Sequence, residues 1–335
     1  MSDNGIKYMI GLKSENTTYK NNFIPSTLHC LINLNILSDF IKNSEKIEPE
    51  KNPLFAKYKE LLQNLENLKK EDTKLLYEIK DFEKVLFENN KFQLKDNQNP
   101  IYLLHHLITE FNLFLVTEYK NTLISDQCFT IIETVKKCPK CDNFVEDEIK
   151  MEEKYLNYDL CQYINKNEEY NYNIYDCLKS YVKIEENQIN IYCKYCKKNI
   201  VPKTKILFKK LPNYLFIYVD YGDDINFKLD DNKNITFDKK LDFSKIKEVE
   251  KNYQNWKYYL SSLISVKEIM TKNEYFYTFC IHKEKDIQKY KYFCFNADTV
   301  HEVKSIDNKT DNKIIDLNNK KERFPLILIY TSLNE

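Results

Sequence analysis

Two pairs of cysteines, each separated by two residues, constrain this chain more than any other feature: "CPKC" at Cys138 to Cys141 and "CKYC" at Cys193 to Cys196. Each pair sets two thiols on one tight turn, so that both sulfurs reach a single ion at about 2.3 Å, and two such turns complete a tetrahedron of thiolates. Strand-like runs lie between them, "EIKMEEKYLNYDL" and "SYVKIEENQINIY". A site built this way ties together the ends of long hairpins, as in a zinc ribbon. Four soft thiolates with no open position suit a structural zinc and leave no place for a catalytic water. The competing readings are a site that has lost its metal and a redox dithiol pair. Cys30, Cys128, Cys161, Cys177, Cys280 and Cys294 stand singly in mostly apolar surroundings and read as core.

Ahead of the first pair, from Ser26 to about Gln127, helical periodicity dominates. Leu28, Leu31, Leu34, Leu37 and Ile41 recur at three- and four-residue steps and predict one buried helix, with Ser26 as its cap and Pro25 near its start. "FAKYKELLQNLENLKK" lines up Phe55, Tyr58, Leu61, Leu62, Leu65 and Leu68. "TKLLYEIKDFEKVLF" does the same with Leu75, Leu76, Ile79, Phe82 and Leu86. "IYLLHHLITEFNLFLV" is apolar on most sides and predicts a central buried helix, while Ser44 to Pro53 reads as a loop.

Beyond Ser125 the pattern changes to short runs rich in Val, Ile, Tyr and Phe: "KILFKKLP", "YLFIYVDY", "YYLSSLISV", "EYFYTFCI", "YKYFCFN" and "PLILIYTSL". These predict strands of an antiparallel sheet. The polar stretches "KNEEYNYN" and "IDNKTDNKIIDLNNKKE" read as solvated loops, and no internal repeat is present.

Composition narrows the function classes. A net charge of +0 with 30% charged residues argues against bare duplex DNA or an anionic membrane as partner and favours proteins; direct nucleic-acid binding is not expected. No apolar run approaches the roughly 20 residues that span a bilayer, and "MSDNGIKYMIGLK" lacks the apolar core of a signal peptide, so a nuclear or cytosolic location is expected. Gly occurs only three times, which leaves few places for the unusual backbone angles that catalytic loops require.

Helices, a four-cysteine ribbon and an antiparallel sheet follow one another in the order seen in ubiquitin-specific proteases, which the chain resembles from about Ile10 to Tyr330. The most specific part is "IYDCLKSYVKIEENQINIYCKYCKKNIVPKTKILFKKLPNYLFIYV", which is similar to the family's "DCL…Y…YC..C…A.K…I..LP..LIIHL" region; "KLDDNKNITFDKKLDFS" resembles its "K….V.FP..LDLS". The resemblance implies an α+β, papain-like cysteine peptidase fold in one domain over 1–335. It implies a helical thumb over 10–127, zinc-ribbon fingers over 128–205 holding Zn on Cys138, Cys141, Cys193 and Cys196, and a β-sheet palm over 206–335.

The same resemblance implies a broken catalytic triad. The family's first box, "GNTCYMNS.LQ.L", anchored on "STLHCL", sets Asn22 at the nucleophile; anchored on "GL" and "NTTY", it sets Thr18 there. Neither register offers a cysteine. The base His of "SGHYTAY" corresponds to Phe276 in "NEYFYTFCI", with Tyr275 in place of the preceding Gly, and Asn296 in "YFCFNAD" matches the residue that orients the base. "QQDAHEF" becomes "QNPIYLL", which keeps Gln98 and brings in Pro100, Tyr102, Leu103 and Leu104. An amide has no ionisable nucleophile, and a hydroxyl needs a base that Phe276 cannot supply. His29, His105, His106, His282 and His301 read as core or surface residues.

The expectation is therefore a pseudoenzyme acting as a scaffold for protein subunits of a larger assembly, as in the family's spliceosomal tri-snRNP member and the scaffold subunit of a poly(A) nuclease. Noncatalytic ubiquitin binding is the alternative; Tyr275, Phe276 and Leu103 narrow the channel for a Gly-Gly tail. An active deubiquitinase with a rewired nucleophile is the third, less favoured reading.

Overall fold

The computed structural model describes residues 10–14, 23–44, 48, 51–68, 76–88, 99–145, 149–153, 156–159, 171–182, 190–220, 234–238, 240–247, 249, 251–267, 275–283, 290–296, 299–303, 313–314 and 323–333. It begins with strand β1 (Gly11–Lys13) and six helices: α1 (Phe23–Ile32), α2 (Asn35–Asn43), α3 (Pro53–Asn67), α4 (Lys80–Glu88), α5 (Pro100–Tyr119) and α6 (Leu123–Cys128), with strand β2 (Leu76–Glu78) before α4.

Three sequence expectations change here. The single helix through Leu28 to Ile41 is two, broken at Asn33 and Leu34. Asn33 Nδ2 leaves the helix to bond Ser261 O (3.0 Å) and Ser262 Oγ (2.6 Å), while Ser38 Oγ satisfies the terminal carbonyls of Leu31 and Ile32. The helix also begins at Phe23 rather than Ser26, which places Ser26 inside it instead of at its cap. The stripe predicted across Leu76 to Leu86 is part strand and part helix, because Leu76–Glu78 pairs in parallel with Gly11–Lys13 and leaves Leu76 exposed. Leu75 lies outside the described residues.

Capping follows the sequence more closely. The Asn52 side chain accepts a hydrogen bond from Phe55 N at 2.9 Å ahead of Pro53, and Asn99 accepts one from Ile101 N at 3.0 Å ahead of Pro100. Each asparagine satisfies one of the orphan donors of a first helical turn, and proline costs nothing there because its missing N–H would have been unpaired. Helix α5 ends on Lys120 in the left-handed region (φ 53°). Its inner face is buried, but Tyr102 and Leu113 are exposed, so the helix is central on one side and open to solvent on the other.

The remaining elements are mainly strands: β3 (Thr130–Lys137), β4 (Ile149–Glu153), β5 (Leu156–Asp159), β6 (Asn171–Asn173), β7 (Ile191–Cys193), β8 (Lys198–Ile200), β9 (Lys203–Lys210), β10 (Tyr214–Asp220), β11 (Asn234–Asp238), β12 (Lys240–Asp242), β13 (Lys257–Lys267), β14 (Tyr275–Lys283), β15 (Tyr290–Asn296), β16 (Thr299–Val303), β17 (Lys313–Ile314) and β18 (Arg323–Ser332). All six predicted runs are strands. The eight-stranded sheet runs β16-β15-β14-β13-β18-β10-β5, with β12 also on β13; it is antiparallel except where β10 meets β5. Strand β9 joins β3 and β4 in a separate three-stranded sheet.

Two polar stretches do more than loop. Asn171–Asn173 and Lys313–Ile314 flank β11 in a small sheet, where their Tyr and Ile residues supply β propensity. Conversely, Ser180 and Tyr181 of the predicted strand "SYVKIEENQINIY" end a short helix, Ile174–Tyr181, and strand begins only at Ile191.

Strands β10 and β18, inside the large sheet, are buried on both faces. Tyr214, Phe216, Ile327 and Ile329 join the helical core, while the alternating Leu215, Ile217, Leu328 and Tyr330 pack with Tyr175, Phe208 and Phe243 on the other side. Double burial explains why these strands read as continuous apolar runs.

Candidate functional site

Helix α1 lies against β14, and this contact is where the sequence predicts the reaction centre. Ser26 Oγ donates to Phe276 O at 3.3 Å, and Thr278 Oγ1 donates back to Ser26 O at 2.9 Å. Two residues expected at separate boxes of the triad region, in the first helix and on a strand about 250 residues later, are thus brought together. The Phe276 side chain is 2% exposed and belongs to the helical core with Leu103 and Leu104. Helix α5 meets the same junction at its N-terminus, where Thr27 Oγ1, which donates to Phe23 O at 2.8 Å, lies 3.4 Å from Pro100 O.

The remaining predicted positions are placed unevenly. Thr18, Asn22 and Gln98 lie outside the described residues. Asn296 ends β15; since Thr278 pairs with Phe295, it stands at the Phe276 end of the neighbouring strand. Tyr275 opens β14 opposite Lys267. Pro100 and Leu103 are buried, whereas Tyr102 is 51% exposed.

Several single cysteines read as core are buried as expected: Cys30, Cys128, Cys280 and Cys294. Burial holds the Cys280 thiol up at about 12, and the thiols of Cys30 and Cys128 are raised by the same loss of hydration, so all three stay protonated near neutral pH. Cys280 Sγ sits 3.9 Å from the backbone oxygen of His29. Cys161 and the side chain of Cys177 lie outside the described residues.

His29 itself is buried on α1. Its ring stacks on Phe295 with centroids 4.0 Å apart, and its Nε2 has no hydrogen-bond partner among the described residues. Burial lowers its pKa to about 3, so the imidazole is neutral at physiological pH.

A second cluster sits at the cysteine pairs. Cys138 Sγ lies 3.7 Å from Cys196 Sγ and Cys141 Sγ lies 3.6 Å from Cys193 Sγ, and all four sulfurs fall within 4.8 Å of one another. A disulfide requires about 2.05 Å, whereas a tetrahedron of thiolates at about 2.3 Å from a centre has edges of about 3.8 Å. The separations therefore fit four ligands around one ion of zinc's size. The two turns have the same construction. Asp142 N donates to Cys138 O (2.9 Å) and Lys197 N to Cys193 O (2.8 Å), and Asp142 and Lys197 each adopt a left-handed φ of 55°.

The sequence could not have singled out Asn33, Ser262 or Thr278, and it offered Ser26 only as a helix cap and box anchor, not for the bonds it makes. Each is an ordinary polar residue that becomes informative only through its buried cross-lobe hydrogen bond.

Comparison with known proteins supplies the wider context. The family model described as ubiquitin carboxyl-terminal hydrolase matches residues 13–330. Among curated proteins none matches significantly in sequence. Among solved structures, the SAGA DUB module Ubp8/Sgf11/Sus1/Sgf73 bound to monoubiquitin shares the fold with a TM-score of 0.71 at 18% identity, over 99% of this chain and 71% of that one. The same module bound to ubiquitin aldehyde gives 0.69 at 18%, over 98% and 70%. The Saccharomyces cerevisiae PAN2 pseudoubiquitin-hydrolase gives 0.64 at 15%, over 98% of this chain and 88% of that one.

Proposed function

The chain belongs to the ubiquitin carboxyl-terminal hydrolase family, and from that membership we propose that it is a catalytically inactive member that serves as a protein-interaction scaffold in a larger nuclear or cytosolic assembly. One observation carries this reading: the strand position matched to the catalytic base is Phe276, buried and packed against α1. A phenyl ring takes no proton, and the matched nucleophile positions, Asn22 or Thr18, offer no thiol. The buried thiols nearest the junction remain protonated, which removes the obvious substitutes. The PAN2 structure is a precedent for this fold named as a pseudo-hydrolase.

In this reading Cys138, Cys141, Cys193 and Cys196 hold a structural zinc. The ribbon's own core consists of Cys138, Cys193 and Ile200 with Val145 and the other two cysteines packed on it. So little apolar material cannot stabilise two turns and a hairpin without a cross-link. No helix among the described residues is long and apolar enough to cross a membrane.

The decisive experiment is incubation of the full chain with ubiquitin bearing a C-terminal electrophile and with a fluorogenic ubiquitin ester or amide. The expected result is no adduct and no turnover at high protein concentration; a covalent adduct on any residue would sink the proposal. A second reading, noncatalytic ubiquitin recognition, draws on the two ubiquitin-containing structures that share the fold. Calorimetric titration separates it: heat of binding below about 100 µM ubiquitin favours recognition, and none favours the scaffold alone.

A further inference from the structure

The tip formed by 137–145 and 190–203 has a surface unlike that of the other described residues. Of the ten exposed large hydrophobic residues among those described, Phe144 (47%), Tyr192 (59%), Tyr195 (56%) and Val201 are here. None of the three rings is needed by the small interior of the tip, which is made of the cysteines, Ile200 and Val145. In the β7–β8 hairpin Tyr192 pairs with Asn199, on the face opposite to Cys193, and is therefore turned away from the sulfurs.

Lysine is concentrated in the same described segments. The whole chain balances 51 basic against 51 acidic residues. These two described segments instead carry Lys137, Lys140, Lys194, Lys197, Lys198 and Lys203 against the single acid Asp142, which pairs with Lys137 at 3.3 Å. Two lysines lie over exposed rings: Lys137 Nζ is 5.2 Å from the Phe144 centroid and Lys194 Nζ is 5.3 Å from that of Tyr195. A zinc ion with four thiolates would contribute a buried charge of about −2 and still leave these described segments with an excess of positive charge.

We infer that this tip binds single-stranded nucleic acid, with Tyr192, Tyr195 and Phe144 stacking on bases and the surrounding lysines meeting phosphates. Exposed rings interleaved with cations are the two components such binding requires, and every base offers a face to a ring. Lysine is depleted in protein–protein interfaces, which disfavours an acidic protein segment as the occupant. The overall charge balance, which argues against duplex DNA, does not weigh against a local site, because screening confines each charge to about 10 Å at ordinary salt. The inference concerns a surface apart from the α1–β14 junction and stands whether or not the chain binds ubiquitin.

The test is fluorescence anisotropy with the full chain, its metal content verified, and a labelled oligouridylate of about 12 nucleotides at several salt concentrations between about 50 and 200 mM. The expected result is saturable binding in the micromolar range that weakens with salt. Tyr192→Ala with Tyr195→Ala should lower affinity at least about tenfold. Lys194→Gln with Lys198→Gln should reduce the log–log salt slope by about 0.7 for each phosphate that is no longer neutralised, while Lys84→Gln on α4 leaves both unchanged. Since all these side chains are exposed, unchanged thermal unfolding shows that the variants are folded. Absence of binding up to about 100 µM at low salt overturns the inference. So does binding indifferent to the tyrosines, or displacement of the RNA by a polyglutamate peptide that binds as tightly, which would identify an acidic-protein surface.

Discussion

Ser26 Oγ stands 3.3 Å from the backbone oxygen of Phe276, and the carbonyl of Ser26 accepts a 2.9 Å bond from Thr278 Oγ1. One residue of α1 is thereby bonded on both its side chain and its backbone to alternate residues of β14. A bonded seam with an apolar ring beneath it is a packing solution, and it frames the proposal that no proton is transferred here.

If Phe276 is a core residue, Phe276→Ala should destabilise the protein by about 3 to 5 kcal/mol, because it removes a large buried side chain and leaves a cavity. Chemical denaturation measures this directly. A loss below about 0.5 kcal/mol would mean that the ring stands in an open cleft, as a surface residue does.

Asn33 links the break between α1 and α2 to β13. Its amide meets Ser262 Oγ at 2.6 Å in buried surroundings, so Asn33→Leu should cost about 1 to 3 kcal/mol by stranding the partner. A double-mutant cycle with Ser262→Ala should return a coupling well above zero; strict additivity would show that the bond contributes nothing.

Acid should weaken the fold through His29. In the unfolded chain this imidazole takes up a proton as the pH falls through about 6.5, whereas the folded protein resists until about 3. Protons thus favour unfolding across that window. Stability should fall by about 1.4 kcal/mol for each pH unit below 6.5. His29→Phe, which keeps the stack on Phe295, should flatten the denaturation midpoint between pH 7 and about 5; an unchanged slope in the variant would assign the effect elsewhere.

Metal analysis should find about one zinc per chain, lost in Cys193→Ser or on prolonged chelation. Because the tip and the two larger cores are separate clusters, limited proteolysis of the stripped protein should cut within 137–145 or 190–203 before it reaches the helices or the large sheet. Identical digestion with and without zinc would contradict a structural role for the ion.

The legibility of the sequence was uneven for physical reasons. Asn52 and Asn99, each before a proline, cap their helices through bonds that span no more than three residues, a signal that is local in the sequence. The strand Leu76–Glu78 was hidden in a helical stripe because its partner, Gly11–Lys13, lies more than 60 residues earlier. The break at Asn33 was hidden for the same reason: the groups that draw its side chain out of the helix belong to β13.

By itself the sequence determined the order of helical and strand regions and the two Cys-x-x-Cys pairs that the fold gathers into one cluster, since these depend on spacing and residue type. Only the tertiary structure decided that Cys138 faces Cys196 and Cys141 faces Cys193, that the Cys280 thiol and the His29 ring are sealed from water, and that Phe276 closes against Ser26. Local periodicity records how a segment meets an interior. Which distant segment it meets there, and what that burial does to an ionisable group, is set by packing across the whole chain.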